Sequence, residues 1–180
     1  FLRRARKAYP DSPAVLTALA RAHLILQNWP EARAAVEGAL RRGGADAPAL
    51  LLKAHLDLIA GRWSESIRSA RRALRLDPAL WGGYQILGDA YLKTGKDDRA
   101  LQAYLKEWEL YAGAEPAIKL GDLYFNRKDF AAAARWYEKI SPGHSAYPLS
   151  RIYLAGCYAQ QKDYDRSRKI YLDASGKYPE

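Results

Sequence analysis

The stretch LGDAYLKTGKDDRALQAY, residues 87–104, decides how the chain folds. Apolar residues recur in it three and four apart, as Leu87, Tyr91 and Leu92 and then Ala100, Ala103 and Tyr104, which is the period of a helix and not the alternation of a strand. Between the two runs lies KTGKDD, where Gly95 suits a helix stop and the aspartates suit the N-terminal cap of the next helix. The stretch therefore reads as two helices joined by a short polar break. Its small residues have a mechanical reading. Gly88 and Ala100 let two backbones approach where the helices cross, and the large aromatics a turn later fill the space beside the crossing.

The phrase recurs along the chain. LGDLYFNRKDFAAAARWY, residues 120–137, puts Gly121, Tyr124, Lys128, Ala133 and Tyr137 in the same places. LAGCYAQQKDYDRSRKIY, residues 154–171, offers Ala155, Tyr158, Lys162, Ser167 and Tyr171. Two upstream copies keep the small residues: Ala20 and Ala32 in one, Ala54 and Ser66 in the other. The first small residue falls at 20, 54, 88, 121 and 155, a step of 34 with one deletion around LYAGAEP. A constant step of this size marks a repeat architecture, in which each unit buries its apolar face against its neighbour.

This pattern resembles the tetratricopeptide repeat, and the resemblance covers nearly the whole chain. It implies an all-α fold, a right-handed superhelical α-solenoid of antiparallel helix pairs, with copies at 13–46, 47–80, 81–113, 114–147 and 148–180. Pro10, Pro78 and Pro179 stand at the closing position of the family motif. Residues 1–12 accordingly read as the second helix of an incomplete repeat, and the chain as a segment of a longer bacterial array. Some positions depart from the motif: Lys53 replaces the usual leucine of the second copy, and His23 and Asp57 replace the usual tyrosine of the first and second. Those two copies are expected to be the distorted ones. Trp29, Trp63, Phe130 and Tyr164 share one position just after the turn and are expected to wedge between helices in the core.

Composition bounds the function. With 49% apolar and 27% charged residues in 180, the chain has the make-up of a globular domain and not of a disordered one. No apolar run approaches the roughly 20 residues of a membrane-spanning helix, and the compartment, cytoplasmic or periplasmic, is left open. The net charge of +9 is uneven: residues 1–80 hold 14 Lys/Arg against 7 Asp/Glu, and residues 81–180 hold 15 against 13. The lone Cys157 excludes an internal disulfide and a thiolate metal cluster. His23, His55 and His144 lie far apart with no metal-ligand spacing between them. Gly95-Lys96 is no phosphate loop, because Ala90 stands where that loop needs glycine and Asp97 where it needs Ser or Thr. The reading is of a protein with no catalytic residues, no metal and no cofactor.

The resemblance also implies a binding face. In this family the first helices line a concave groove, and the groove positions here are Thr17, Arg21, Leu24 and Ile25; Leu51, His55, Leu58 and Ile59; Gln85, Asp89, Leu92 and Lys93; Ile118, Asp122, Phe125 and Asn126; and Ile152, Gly156, Ala159 and Gln160. The groove is largely apolar with two acidic points. Members that grip the acidic carboxyl tails of heat-shock chaperones carry lysine and then asparagine four residues later in one copy. The corresponding pairs here are Thr17 and Arg21, Leu51 and His55, Gln85 and Asp89, Ile118 and Asp122, and Ile152 and Gly156, which excludes that clamp. Two aspartates favour a protein or peptide partner carrying Lys or Arg among apolar anchors. The expected function is a non-catalytic protein–protein interaction scaffold. Its worn Ala-, Arg- and Leu-rich repeats look similar to bacterial envelope and polysaccharide-export scaffolds. The alternative is polyanion binding, to RNA or an anionic membrane surface, through Arg33, Arg41, Arg42, Arg68, Arg71, Arg72 and Arg75, which fall mostly in second helices. Nucleic acid ranks below protein as the partner.

Overall fold

The computed structural model describes residues 12–177. It is built from helices, and no strand occurs among the described residues. In chain order they are α1 Pro13–Ile25, α2 Trp29–Gly43, α3 Ala47–Ile59, α4 Trp63–Leu76, α5 Gly83–Lys93, α6 Asp97–Tyr111, α7 Ala114–Asn126, α8 Phe130–Tyr137, α9 Tyr147–Gln160 and α10 Tyr164–Lys177. Contacts divide the chain into two compact units, Phe1–Ala103 and Tyr104–Glu180. The incomplete repeat expected upstream of Pro13, with its closing Pro10, lies outside the described residues apart from Ser12, and so does Pro179.

The turns inside the helix pairs show why this sequence folds back at a fixed stride. In each of these turns one residue holds left-handed backbone: Gln27 (φ 58°), Gly61 (φ 73°), Gly95 (φ 67°), Lys128 (φ 63°) and Lys162 (φ 63°). After each, the next amide reaches five residues back. Asn28 N donates to the His23 carbonyl, Arg62 N to Asp57, Lys96 N to Tyr91, Asp129 N to Tyr124 and Asp163 N to Tyr158, all at 2.8–3.0 Å. This 6→1 bond satisfies carbonyls that the ending helix leaves without a partner and reverses the chain with one residue in the αL region. Two of the five are glycine, which takes that conformation without a Cβ penalty; the other three bear side chains. Helix starts are capped as well. Ser12, Asp46 and Asp129 accept from the amides of Val15, Ala49 and Ala132, three residues on.

In the first unit α1 packs on α2 and α3 on α4, while α3 also touches α1, α2 and α5. The crossings close over small side chains: Ala20, Ala32, Ala54, Ser66 and Ala70 are all buried. Gly83, at the start of α5, permits a similar approach, since a Cβ there would stand 2.6 Å from a Leu74 methyl. In the second unit α8 packs against both α7 and α9, and α9 against α10. A Cβ on Gly121 would stand 2.6 Å from the Tyr137 ring, far inside van der Waals contact, so only glycine fits that crossing. Tyr137, Ala133, Leu154 and Cys157 belong to the buried core there. Aromatic pairs flank it: Trp108 meets Trp136 edge-on at 5.3 Å, and Phe125 meets Phe130 at 5.1 Å.

The expected distortion of the first two copies does not appear in their helices or turns. α1 and α3 are each 13 residues long and end in the same αL turn as the others. The reason in the second copy is that its two departures from the motif compensate one another. Asp57 is 1% exposed, and its carboxylate accepts from Lys53 Nζ at 2.6 Å, from Arg62 Nε and Nη2 at 3.0 and 2.9 Å, and from Arg33 Nη1 at 3.3 Å. Arg33 comes from α2, Lys53 from α3 itself and Arg62 from the turn, so an ionic knot stands where leucine and tyrosine would pack. The shortest helix is α8, with 8 residues. It stops at Tyr137, ahead of the Pro142-Gly143 segment that leads to α9.

The aromatic residues after the turns are a second correction. Trp29, Trp63, Phe130 and Tyr164 each begin a second helix. Trp29, Trp63 and Tyr164 are exposed, whereas Phe130 packs against a buried core cluster. All four hold the same first helical position, so repeat register alone does not decide their burial.

Candidate functional site

The expected groove residues sit on α1, α3, α5, α7 and α9, the first helix of each pair. Their accessibility differs. Thr17 is buried and donates its hydroxyl to the Pro13 carbonyl at 2.9 Å, one helical turn back. Leu24 is half-buried against a cluster of Ala20, Ala32, Val36 and Leu56. Leu51, Leu58, Gln85 and Leu92 are half-buried, and Arg21 is exposed. At the ends of α1 and α3 the apolar surface is open: Ile25 is 72% and Ile59 45% exposed. A cleft of about 840 Å³ runs beside α1, lined by Thr17, Arg21 and Ile25 and closed by Asp46 and Pro48 at the start of α3.

His55 on α3 and Asp89 on α5 are one repeat apart, and the Asp89 carboxylate acts on the proton equilibrium of the imidazole. Burial holds the His55 imidazole below its ordinary value of 6.5, and the Asp89 carboxylate pulls it part of the way back. The net effect favours the neutral imidazole more than in a free histidine. This coupling agrees with the packing of α3 against α5 and puts successive first-helix residues side by side in the first unit.

In the second unit Ile118 and Phe125 are half-buried against the core, and Ile152 is 44% exposed. Asp122 is half-buried, and its Oδ1 accepts from the Tyr137 hydroxyl at 2.6 Å. Burial and this carboxylate push the Tyr137 phenol well above its ordinary range, so it remains a donor. One of the two acidic points is thus also a fastener between α7 and α8. The knot around Asp57 was not among the candidate residues. Its signal in the sequence was the four-residue spacing of Lys53 and Asp57, which puts opposite charges on one helix face.

No group of His, Cys, Asp and Glu among the described residues could hold a metal ion. Cys157 is buried, and burial pushes its thiol up to about 11, so it stays protonated and unreactive at neutral pH. No helix among the described residues is long and apolar enough to cross a membrane.

A family model for the tetratricopeptide repeat matches residues 2–48 and 51–117. The chain belongs to the tetratricopeptide repeat family. Solved structures share its fold. The MamA protein superposes with a TM-score of 0.78 at 18% identity, covering 95% of this chain and 97% of MamA. The pilF protein of Pseudomonas aeruginosa gives 0.83 at 20% identity, covering 99% of this chain and 82% of its own. YrrB, described as a tetratricopeptide repeat protein with an unusual peptide-binding site, gives 0.76 at 15% identity over 99% of this chain and 93% of its own. No curated protein matches the sequence. Tetratricopeptide repeat proteins are generally non-catalytic scaffolds for protein–protein interaction, and the helix pairs are in keeping with that fold.

Proposed function

We propose that this tetratricopeptide repeat chain, in five copies from residue 13 to 180, is a non-catalytic scaffold that holds a segment of a partner protein against its first helices, within a bacterial envelope or polysaccharide-export assembly. The observation that carries the reading is the open apolar surface of Ile25 and Ile59, set on the helices that also bear Arg21 and His55 and next to the helix bearing Asp89. Large exposed aliphatic side chains grouped with charges are what a peptide-docking face needs: apolar anchors supply the burial and the charges set the register. Asp89, and Asp122 in the second unit, favour a partner segment with Lys or Arg between its apolar residues. The peptide-binding site named for YrrB supports the same class of partner.

The test is affinity capture of a partner by the wild-type chain, followed by calorimetry with Ile25→Glu, Ile59→Glu and Asp89→Lys. Each change is expected to weaken binding by about tenfold or more, the scale of an anchor lost from an interface, with helicity unaltered. Affinity that stays the same in all three variants overturns the assignment of this face. For the second unit the cleaner probe is Asp122→Asn, because it removes the charge while leaving an oxygen to accept from Tyr137.

A further inference from the structure

A second surface of the first unit has the opposite character. α4 carries Arg68, Arg71, Arg72 and Arg75 at spacings of three, four and seven, which places all four on one helical face over two turns. They line one side of a cleft of about 680 Å³, whose other walls come from the end of α2 and from α3. Leu40, Leu50 and Ile67 are its apolar lining. Glu65 is the one acidic residue in the wall, and its carboxylate is already taken by Arg68 at 3.0 Å. Lys53 also lines the cleft, but its ammonium is held by Asp57. Arg71, Arg72 and Arg75 are exposed and meet no carboxylate among the described residues.

Like charges three and four residues apart oppose helix formation, so this stripe does nothing for the stability of α4. We propose that the cleft between α2, α3 and α4 binds an acidic amphipathic segment of a partner protein, with its carboxylates on Arg71, Arg72 and Arg75 and its apolar residues on Leu40 and Ile67. Charge complementarity selects an anion, since arginine pairs planar carboxylates in bidentate geometry. The apolar lining selects a polypeptide. No aromatic ring lines the cleft to stack a base, which disfavours single-stranded RNA. The concavity of the site disfavours a bilayer, which is flat on this scale. The proposal stands apart from the first-helix face, since it involves other residues and a ligand of opposite charge.

The experiment uses the full chain and three probes in fluorescence titrations at low and at physiological salt. They are a labelled helical peptide of repeating Glu and Leu, labelled oligouridylate, and vesicles of phosphatidylcholine with phosphatidylglycerol. The Glu-Leu peptide is expected to bind and to weaken as salt rises. In the triple variant R71Q/R72Q/R75Q it is expected to weaken by about tenfold or more. Relief of like-charge repulsion keeps the triple variant folded, and its melting curve checks this. Failure of the peptide to bind, equal binding to wild type and triple variant, or tighter binding of oligouridylate or vesicles than of the peptide overturns the proposal.

Discussion

The first unit fills the contact beside Ala54 with charge, and the second fills the equivalent contact with an apolar and aromatic surface. Around Ala54 stand Lys53 and Asp57; around Gly121 stand Leu120 and Tyr124. Leu120 is fully buried, whereas Asp57 is equally buried but ringed by Arg33, Lys53 and Arg62. Both solutions support the same 13-residue first helix and the same turn. The lesson is that the family geometry depends on small residues at the crossing and on the turn, and that the chemistry beside the crossing can be exchanged as a set. A buried carboxylate is tolerable because three cations offset its desolvation; a leucine and a tyrosine need no such partners.

Breaking the ionic set gives the largest expected effect. Asp57→Ala should cost about 3 kcal/mol, the lower part of the range for removing one partner from a buried pair, because its cations are partly open to water and recover some hydration. Urea titration measures it, and a loss below about 1 kcal/mol would show that the knot behaves like a surface pair. The double change Lys53→Leu with Asp57→Tyr restores the motif and should recover most of that loss, so the two sites are strongly non-additive. The pH dependence follows the same logic. Burial alone would raise the Asp57 carboxyl, but Lys53, Arg62 and Arg33 outweigh it and hold the group below its ordinary 3.8. Its contribution is therefore complete above that value and is lost as the pH falls through the lowered one. Stability curves of wild type and Asp57→Ala should lie apart at neutral pH and converge in acid.

Within the second unit, Gly121→Leu attacks the crossing itself. The Tyr137 ring already occupies the space, so the change should cost about 2–3 kcal/mol through overpacking and release the Tyr137 to Asp122 bond. Thermal melting followed by circular dichroism reads the first effect. Tolerance of leucine at this site would contradict the close approach described above.

The smallest expected effect sharpens the comparison of turns. Gln27, Lys128 and Lys162 hold φ near 60° where Gly61 and Gly95 do so freely. Replacing Lys128 with glycine should stabilise the second unit by up to about 1 kcal/mol. The equivalent change at Lys162 should match it if the turns are interchangeable. Chemical denaturation of the two variants side by side decides the point.

Most of the fold was legible in the sequence because its determinants are local and repeated. Gly88, Gly121 and Ala155 mark crossings, and Gly95, Lys128 and Lys162 mark turns, all within a few residues of the helices they join. What escaped was long-range or a matter of depth. Asp57 and Lys53 read as two separate departures because Arg33 lies 24 residues from Asp57 and nothing in the periodicity connects them. Trp29, Trp63 and Tyr164 read as core because register fixes direction around a helix and not depth at its first residue. On the candidate face, the helices of Thr17 and Asp122 could be foreseen, but their hydroxyl and carboxylate bonds depend on side-chain contacts that a linear pattern does not specify.

The left-handed joint that recurs at Gln27, Gly61, Gly95, Lys128 and Lys162 keeps one form whether glycine or a longer side chain occupies it. Geometry there is written in backbone amides and carbonyls, so mutation can reshape the outward-facing chemistry of neighbouring positions without bending the frame. Such a protein can change its associates by repainting surfaces while every hairpin keeps its angle.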